Sequence, residues 1–263
     1  LCKKEEETEY KNTVSSFFVE IFLVLYYALC VQKIQNRNEA TEMIKTCIFD
    51  LDGTLTDTLE SITYSVNLTL KEMKLPAITM EQCRMFVGNG ARVLMENAMK
   101  ACGDTDLLRI EEAMQIYGRV FSENCTYRVR PYDGITETLM KLKEEGVHLA
   151  VLSNKPDGQA VDVVHTFFGK ELFDYVQGQR EGIPRKPDPA GVFLIMDRTG
   201  SKASECLYIG DSDVDMHTGK NAGMKTIGVS WGFRSRDVLT GAGADVIIDR
   251  PQELLSFTEE KKE

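Results

Sequence analysis

The chain has 263 residues, 43% hydrophobic and 27% charged, with 41 acidic against 31 basic residues and a formal net charge of -10. These proportions exclude a disordered or collagen-like chain and leave room for one large domain or two modest ones around a sizeable core. No Lys/Arg cluster stands out that would make a broad nucleic-acid-binding face.

Cys2, Cys30, Cys47, Cys83, Cys102, Cys125 and Cys206 form no C-x-x-C pair. That argues against zinc ribbons and thioredoxin-like motifs, and for reduced thiols in the cytoplasm. The three histidines carry no H-E-x-x-H pattern, so any metal is expected to be hard and oxygen-ligated.

Residues 1–42 read as an N-terminal extension of separate status. Phe17 to Val31 is apolar except for Glu20, and its fifteen residues fall short of the about 20 a membrane span needs. The stretch Lys3-Lys4-Glu5-Glu6-Glu7 is mixed rather than the basic n-region of a signal peptide. Membrane contact is expected only if residues 17–31 act as an anchor. A packed or partner-facing helix, or a segment outside the functional protein, are the other readings. Met43 begins Met43-Ile44-Lys45-Thr46-Cys47-Ile48-Phe49, a natural first strand.

Ile44–Phe49 is a short apolar, β-branched run that ends at an acidic loop. Two helical stripes follow, Leu59/Ile62/Val66/Leu70 and Ile110/Met114/Tyr117/Phe121, with apolar residues at helical period. No strand is expected between Leu55 and Arg130. Arg130-Pro131-Tyr132-Asp133-Gly134 reads as a turn and a domain boundary.

Beyond it strands and helices alternate. Strands are expected at Val147–Leu152, Tyr175-Val176, Cys206–Ile209, Thr226–Val229 and Val246–Ile248. Helices are expected at Ile135–Glu145, Pro156–Phe168, Pro189–Thr199, Val214–Asn221 and Gln252–Phe257. The pattern implies an α/β fold with a parallel sheet covered on both faces, and ligands beyond the C-terminal strand ends.

Polar groups gather at those ends. Asp50-Leu51-Asp52-Gly53-Thr54-Leu55 follows the first strand, and Ser153-Asn154-Lys155 follows Val147–Leu152. Arg185-Lys186-Pro187-Asp188-Pro189 precedes a helix, and Gly210-Asp211-Ser212-Asp213-Val214-Asp215 follows Cys206–Ile209. In an extended backbone Asp50 and Asp52 share a side, and neighbouring carboxylates repel unless a cation lies between them. With Asp211 and Asp215 nearby, a divalent cation is the best explanation, and Mg²⁺ fits. Lys186 and the backbone N–H groups after Ser153 suit a phosphate. Together these groups suggest phosphoryl transfer to a carboxylate nucleophile.

The four motifs, in this order, resemble the haloacid dehalogenase superfamily over about Met43 to Ser256. The resemblance implies a Mg²⁺-dependent phosphatase acting on a small phosphorylated metabolite. It implies a Rossmann-like core over 43–55 and 131–258, and an inserted all-helical cap over 56–130. It makes Asp50 the nucleophile and Asp52 the general acid and base. Ser153, Asn154 and Lys186 would bind phosphate. Asp50, Asp211 and the Asp52 main-chain oxygen would bind metal, with Asp215 behind them.

An acid at Asp52 argues against a dehalogenase, and no motif singles out a cap lysine for phosphonatase chemistry. The tract Val87-Gly88-Asn89-Gly90-Ala91 resembles phosphoglycolate phosphatases and makes 2-phosphoglycolate the expected substrate. Asn89, Gly90 and Arg92 are then expected to read its carboxylate. The alternatives are a β-phosphoglucomutase-like phosphomutase, a pyrophosphatase, or an inactive binding protein on the same fold. Oligomeric state is not expected from any feature.

Overall fold

A computed structural model of the protein describes residues 43–258. The expectations for residues 1–42 lie outside the described residues.

The sheet is built on β1 (Thr46–Phe49), whose four residues are all buried. Alternate residues serve opposite faces, as the two-residue strand period demands. Cys47 and Phe49 join the larger apolar cluster, while Ile48 joins a second one with Ala150, Leu152, Val192 and Tyr208. Burial of each such Ile or Phe side chain is worth about 1.5–3 kcal/mol. Cys47, Cys83, Cys125 and Cys206 are buried and unpaired, and burial raises all four thiols. They pack as small apolar groups rather than acting as nucleophiles.

The chain leaves β1 through a tight loop, forms β2 (Thr56–Asp57), and enters a helical segment. That segment comprises α1 (Leu59–Glu72), α2 (Met80–Phe86), α3 (Gly90–Ala101) and α4 (Ile110–Asn124). It returns through β3 (Arg130–Pro131), which pairs antiparallel with β2 in the register Thr56↔Pro131 and Asp57↔Arg130. No strand was expected at this stem. Two residues per strand are too few to show a period in sequence.

α1 is rich in Ser and Thr, which are indifferent helix formers. Thr63, Ser65 and Thr69 donate to the carbonyls of Leu59, Ser61 and Ser65, so their hydroxyls are satisfied inside the helix. Leu59, Ile62, Val66 and Leu70 form its buried stripe. α2 starts with a capping box between Thr79 and Gln82.

After β3 come α5 (Ile135–Glu144), β4 (His148–Pro156), α6 (Asp157–Phe168), β5 (Tyr175–Gln179) and α7 (Ala190–Thr199). Then follow β6 (Cys206–Gly210), α8 (Asp213–Asn221), β7 (Lys225–Val229), α9 (Arg236–Gly241) and β8 (Val246–Ile248). The last segment, expected as a helix, is a 3-10 stretch over Pro251–Phe257.

The six-stranded sheet is parallel, in the order β5-β4-β1-β6-β7-β8. Strand order reverses at β1, which is where open α/β sheets bind ligands. The register Phe49↔Val151 and Phe49↔Ile209 brings Asp50, Ser153 and Asp211 to one edge of the sheet. Among the described residues no helix is long and apolar enough to cross a membrane.

Candidate active site

Asp50 leaves the end of β1 with its N–H bonded to the Ile209 carbonyl, 2.9 Å away. The next residues do not continue as a strand. The Leu51 carbonyl accepts from the N–H groups of Thr54, Leu55 and Thr56, and Gly53 takes a φ of +87°. The extended i, i+2 relation expected for Asp50 and Asp52 is therefore replaced by a tight turn. Both residues still line one cleft.

A side chain at Gly53 would collide with Asp211 Oδ2, and one at Gly232 would collide with Asp211 Cβ. The two glycines make a cradle that lets the backbone approach the Asp211 carboxylate. Asp211 Oδ2 accepts the Phe233 N–H at 2.7 Å and Oδ1 accepts the Thr54 hydroxyl at 3.3 Å.

Lys186 sits 3% exposed between two carboxylates, 2.7 Å from Asp215 Oδ1 and 2.9 Å from Asp50 Oδ1. Its N–H aims at Asp215. The Asp50 oxygen is close but accepts no hydrogen bond of good geometry, so that contact is a charge pairing with room for another partner. Asp215 Oδ2 is taken by the Ser212 N–H and hydroxyl, at 3.1 and 2.6 Å. That capping box at the start of α8 also satisfies helix donors.

Asp50, Asp211 and Asp215 can each present a carboxylate oxygen within 4.8 Å of the other two. Asp50 and Asp211 line the cleft, whereas Asp215 lies behind them with its side chain fully buried, so Asp50 and Asp211 are the ones best able to hold a divalent metal. The electrostatics fit the same cation. Burial and the Asp215 carboxylate push Asp50 up to about 7, with Lys186 pulling the other way. Burial and the carboxylates of Asp215 and Asp50 hold Asp211 well above the usual range. Burial opposes the Lys186 charge, but Asp215 and Asp50 outweigh it and hold Lys186 well above the usual lysine range. A divalent cation among these carboxylates would relieve their repulsion.

Ser153 and Asn154 lie at the C-terminal end of β4, and both line the cleft. The Asn154 side chain does more than its backbone was expected to do. Its Oδ1 accepts the Lys186 N–H at 2.9 Å, while its Nδ2 donates to the carbonyls of Lys186 and Gly88. It thus fixes the lysine's main chain and tethers the helical segment.

The opposite wall comes from the helical segment, through Ile62, Leu94, Tyr117 and Phe121. Gly90 lines the cleft, whereas Asn89 and Arg92 do not. The Arg185 guanidinium donates to the Asn89 carbonyl at 2.8 Å. Arg92 turns outward to Glu111 at 2.6 Å, with Glu96 at 4.0 Å. On α3 the inner positions belong to Ala91 and Leu94. Arg92, one residue and about 100° further round from Ala91, has to face away.

Two cleft residues carried no sequence expectation. Lys155 Nζ lies 2.8 Å from Asp52 Oδ1, with its side chain 1% exposed. Its spacing of two from Ser153 on a strand was the available signal. Arg234 donates to the carbonyls of Arg84 and Val87, 2.6 Å each. Only tertiary contact reveals that role.

A haloacid dehalogenase-like hydrolase model matches residues 47–229. The chain belongs to that family. Its sequence is 31% identical over 219 residues to a phosphoglycolate phosphatase of Pseudomonas syringae pv. syringae, covering 82% of this chain and 80% of that protein. It is 32% identical over 217 residues to a phosphoglycolate phosphatase of Haemophilus influenzae, covering 80% and 96%. A predicted phosphoglycolate phosphatase from Haemophilus somnus 129PT has the same fold, with a TM-score of 0.77 at 28% identity over 82% of this chain and 98% of that one. This haloacid dehalogenase-like hydrolase is a phosphatase, a phosphoric monoester hydrolase, and its Asp50, Asp211 and Asp215 form an acidic cluster that could hold a divalent metal.

Proposed function

We propose that the enzyme hydrolyses 2-phosphoglycolate, with Mg²⁺ as its metal, through an aspartyl-phosphate on Asp50. The observation that carries the chemistry is the Lys186 ammonium shared by Asp50 and Asp215 beneath a cleft that Asp52 also lines. The substrate rests on the relatives that carry the phosphoglycolate phosphatase name. The cleft sets Asp50, Asp52 and Ser153 against an apolar wall of Ile62, Leu94, Tyr117 and Phe121, which suits a small ester.

The Asp50 carboxylate attacks phosphorus as the bond to the ester oxygen breaks. The leaving oxygen takes the electron pair and a proton from Asp52. Asp52, now ionised, removes a proton from water, whose oxygen attacks the same phosphorus. The bond to Asp50 then breaks, releasing inorganic phosphate and restoring the carboxylate. The Ser153 hydroxyl and the Asn154 N–H donate to the phosphoryl oxygens. Lys186 offsets their charge, and Asp215 holds Lys186 in place. Asp50, Asp211 and the Asp52 main-chain oxygen would hold Mg²⁺, which supplies charge neutralisation between the anionic nucleophile and the phosphate.

Residues 56–130 act as a cap on a core of 43–55 and 131–258. The β2–β3 stem, where the helical segment departs and returns, supports this division. The spacing of the cysteines supports a cytoplasmic enzyme.

The test is phosphate release from a panel of phosphomonoesters and pyrophosphate, with Mg²⁺ and with EDTA. Fastest release from phosphoglycolate, abolished by EDTA, is expected. Phosphoryl transfer between sugar phosphates without net release would replace this reading with a mutase. Full activity after rigorous metal removal would overturn the metal requirement.

A further inference from the structure

The phosphoryl end of the site does not use the side chain of Lys155, which lines the cleft. Lys186 is committed to Asp50 and Asp215. Arg234 is committed to the carbonyls of Arg84 and Val87. Lys155 is held differently. Its ammonium makes one hydrogen bond, to Asp52 Oδ1, and lies 4.6 Å above the centre of the Phe121 ring. Tyr117 and Ile62 line the same side of the cleft.

A buried ammonium needs a counter-charge, because an unpaired one is costly in apolar surroundings. Asp52 supplies it here as the carboxylate, yet to act as the acid Asp52 has to take up a proton and turn to the ester oxygen. Each time it does so, Lys155 loses its carboxylate partner. A second anionic group, one or two bonds beyond the ester oxygen, would restore the balance at that moment. A neutral leaving group could not.

We infer that Lys155 is the specificity-determining residue for a carboxylate on the leaving portion of the substrate, the role the sequence suggested for Arg92. The inference rests on the hydrolase reading of this site and deepens it. It commits the substrate to the phosphate esters of small hydroxy acids. Phe121 and Tyr117 contribute by keeping the ammonium dry, which strengthens its attraction for a carboxylate.

The experiment compares kcat/KM for 2-phosphoglycolate, 2-phospholactate and ethyl phosphate in the wild-type enzyme, Lys155→Met and Lys155→Gln. Gln keeps a hydrogen-bond donor near Asp52 without the charge, and it serves as the comparison if the Met variant does not fold. Both variants are expected to lose about ten- to a hundredfold on the two carboxylate-bearing esters and only a few-fold on ethyl phosphate. Lys155→Arg should recover part of the preference.

An equal loss on all three esters overturns the inference, because Lys155 would then act through Asp52 alone. So does an unchanged ratio of carboxylate-bearing to neutral ester. The parent reading fails separately: a wild-type preference for phospholactate would remove phosphoglycolate as substrate. Lys155 would keep its role if its replacement still erased the preference for the carboxylate.

Discussion

Asp50 faces two opposed demands. Burial and the Asp215 carboxylate push it up to about 7, yet a nucleophile has to be ionised to attack. Lys186 at 2.9 Å supplies part of the compensation, and a bound cation would supply the rest. Asp50→Asn keeps the shape and removes the nucleophile, so turnover should fall at least about 10³-fold while the variant stays folded by circular dichroism. Wild-type rates in that folded variant would end the covalent mechanism. Arg92 carries the opposite expectation. Its guanidinium is 47% exposed and engaged with Glu111, and exposed pairs of this kind contribute little. Arg92→Ala should leave kcat/KM within about twofold of wild type on phosphoglycolate and ethyl phosphate alike. A selective loss on phosphoglycolate would return Arg92 to the site.

α2 is only seven residues long, and its last carbonyls have no helical partners. Donors from the sheet side satisfy them and the loop that follows. Arg234 reaches the carbonyls of Arg84 and Val87, Asn154 that of Gly88, and Arg185 that of Asn89. The cation at the end of α2 also complements the negative end of the helix dipole. These bonds fasten the wall of the cleft that carries Val87, Gly88 and Gly90. Arg234→Met should therefore speed amide exchange across residues 84–90 and cost about 1–2 kcal/mol of stability. Hydrogen exchange read by mass spectrometry checks it; unchanged protection there would show that the loop holds itself. The long helices were legible because several turns make a stripe visible, as Leu59, Ile62, Val66 and Leu70 do. The short α2 and α9 were not, since one or two turns leave too few repeats of the period.

At the scale of the whole molecule, the carboxylate cluster links stability to pH and to metal. Asp50 is raised to about 7 and Asp211 well above its usual value, whereas both should titrate near about 4 in the unfolded chain. A raised carboxyl adds stability that is fully present below about pH 4 and is lost as pH rises through about 7. Metal-free protein should accordingly forfeit the Asp50 contribution as pH rises from about 4 to about 7. Mg²⁺ replaces the missing protons, so the gain in Tm on adding it should be larger at pH 8 than at pH 5. Thermal melts at the two pH values, with EDTA and with saturating Mg²⁺, make the comparison. An equal gain at both would separate metal binding from the ionisation of Asp50 and Asp211.

The sequence by itself determined the alternation of strands and helices, and with it the sheet edge where chemistry had to lie. Asp50, Ser153, Lys186 and Asp211 were legible because each sits beside a strand or helix end, where local chain direction alone places it. Tertiary structure decided which side chains meet across long separations. Lys155 reaches Asp52 over 103 residues and Arg234 reaches Arg84 over 150. Nothing in either local pattern encodes those partners. The same holds for Arg92: a glycine-rich helix start can present an arginine inward or outward, and only the packing of Ala91 and Leu94 against the cleft turned it away. Local propensity and period act within a few residues, so they fix elements and their ends. The pairing of charges depends on how those elements are stacked.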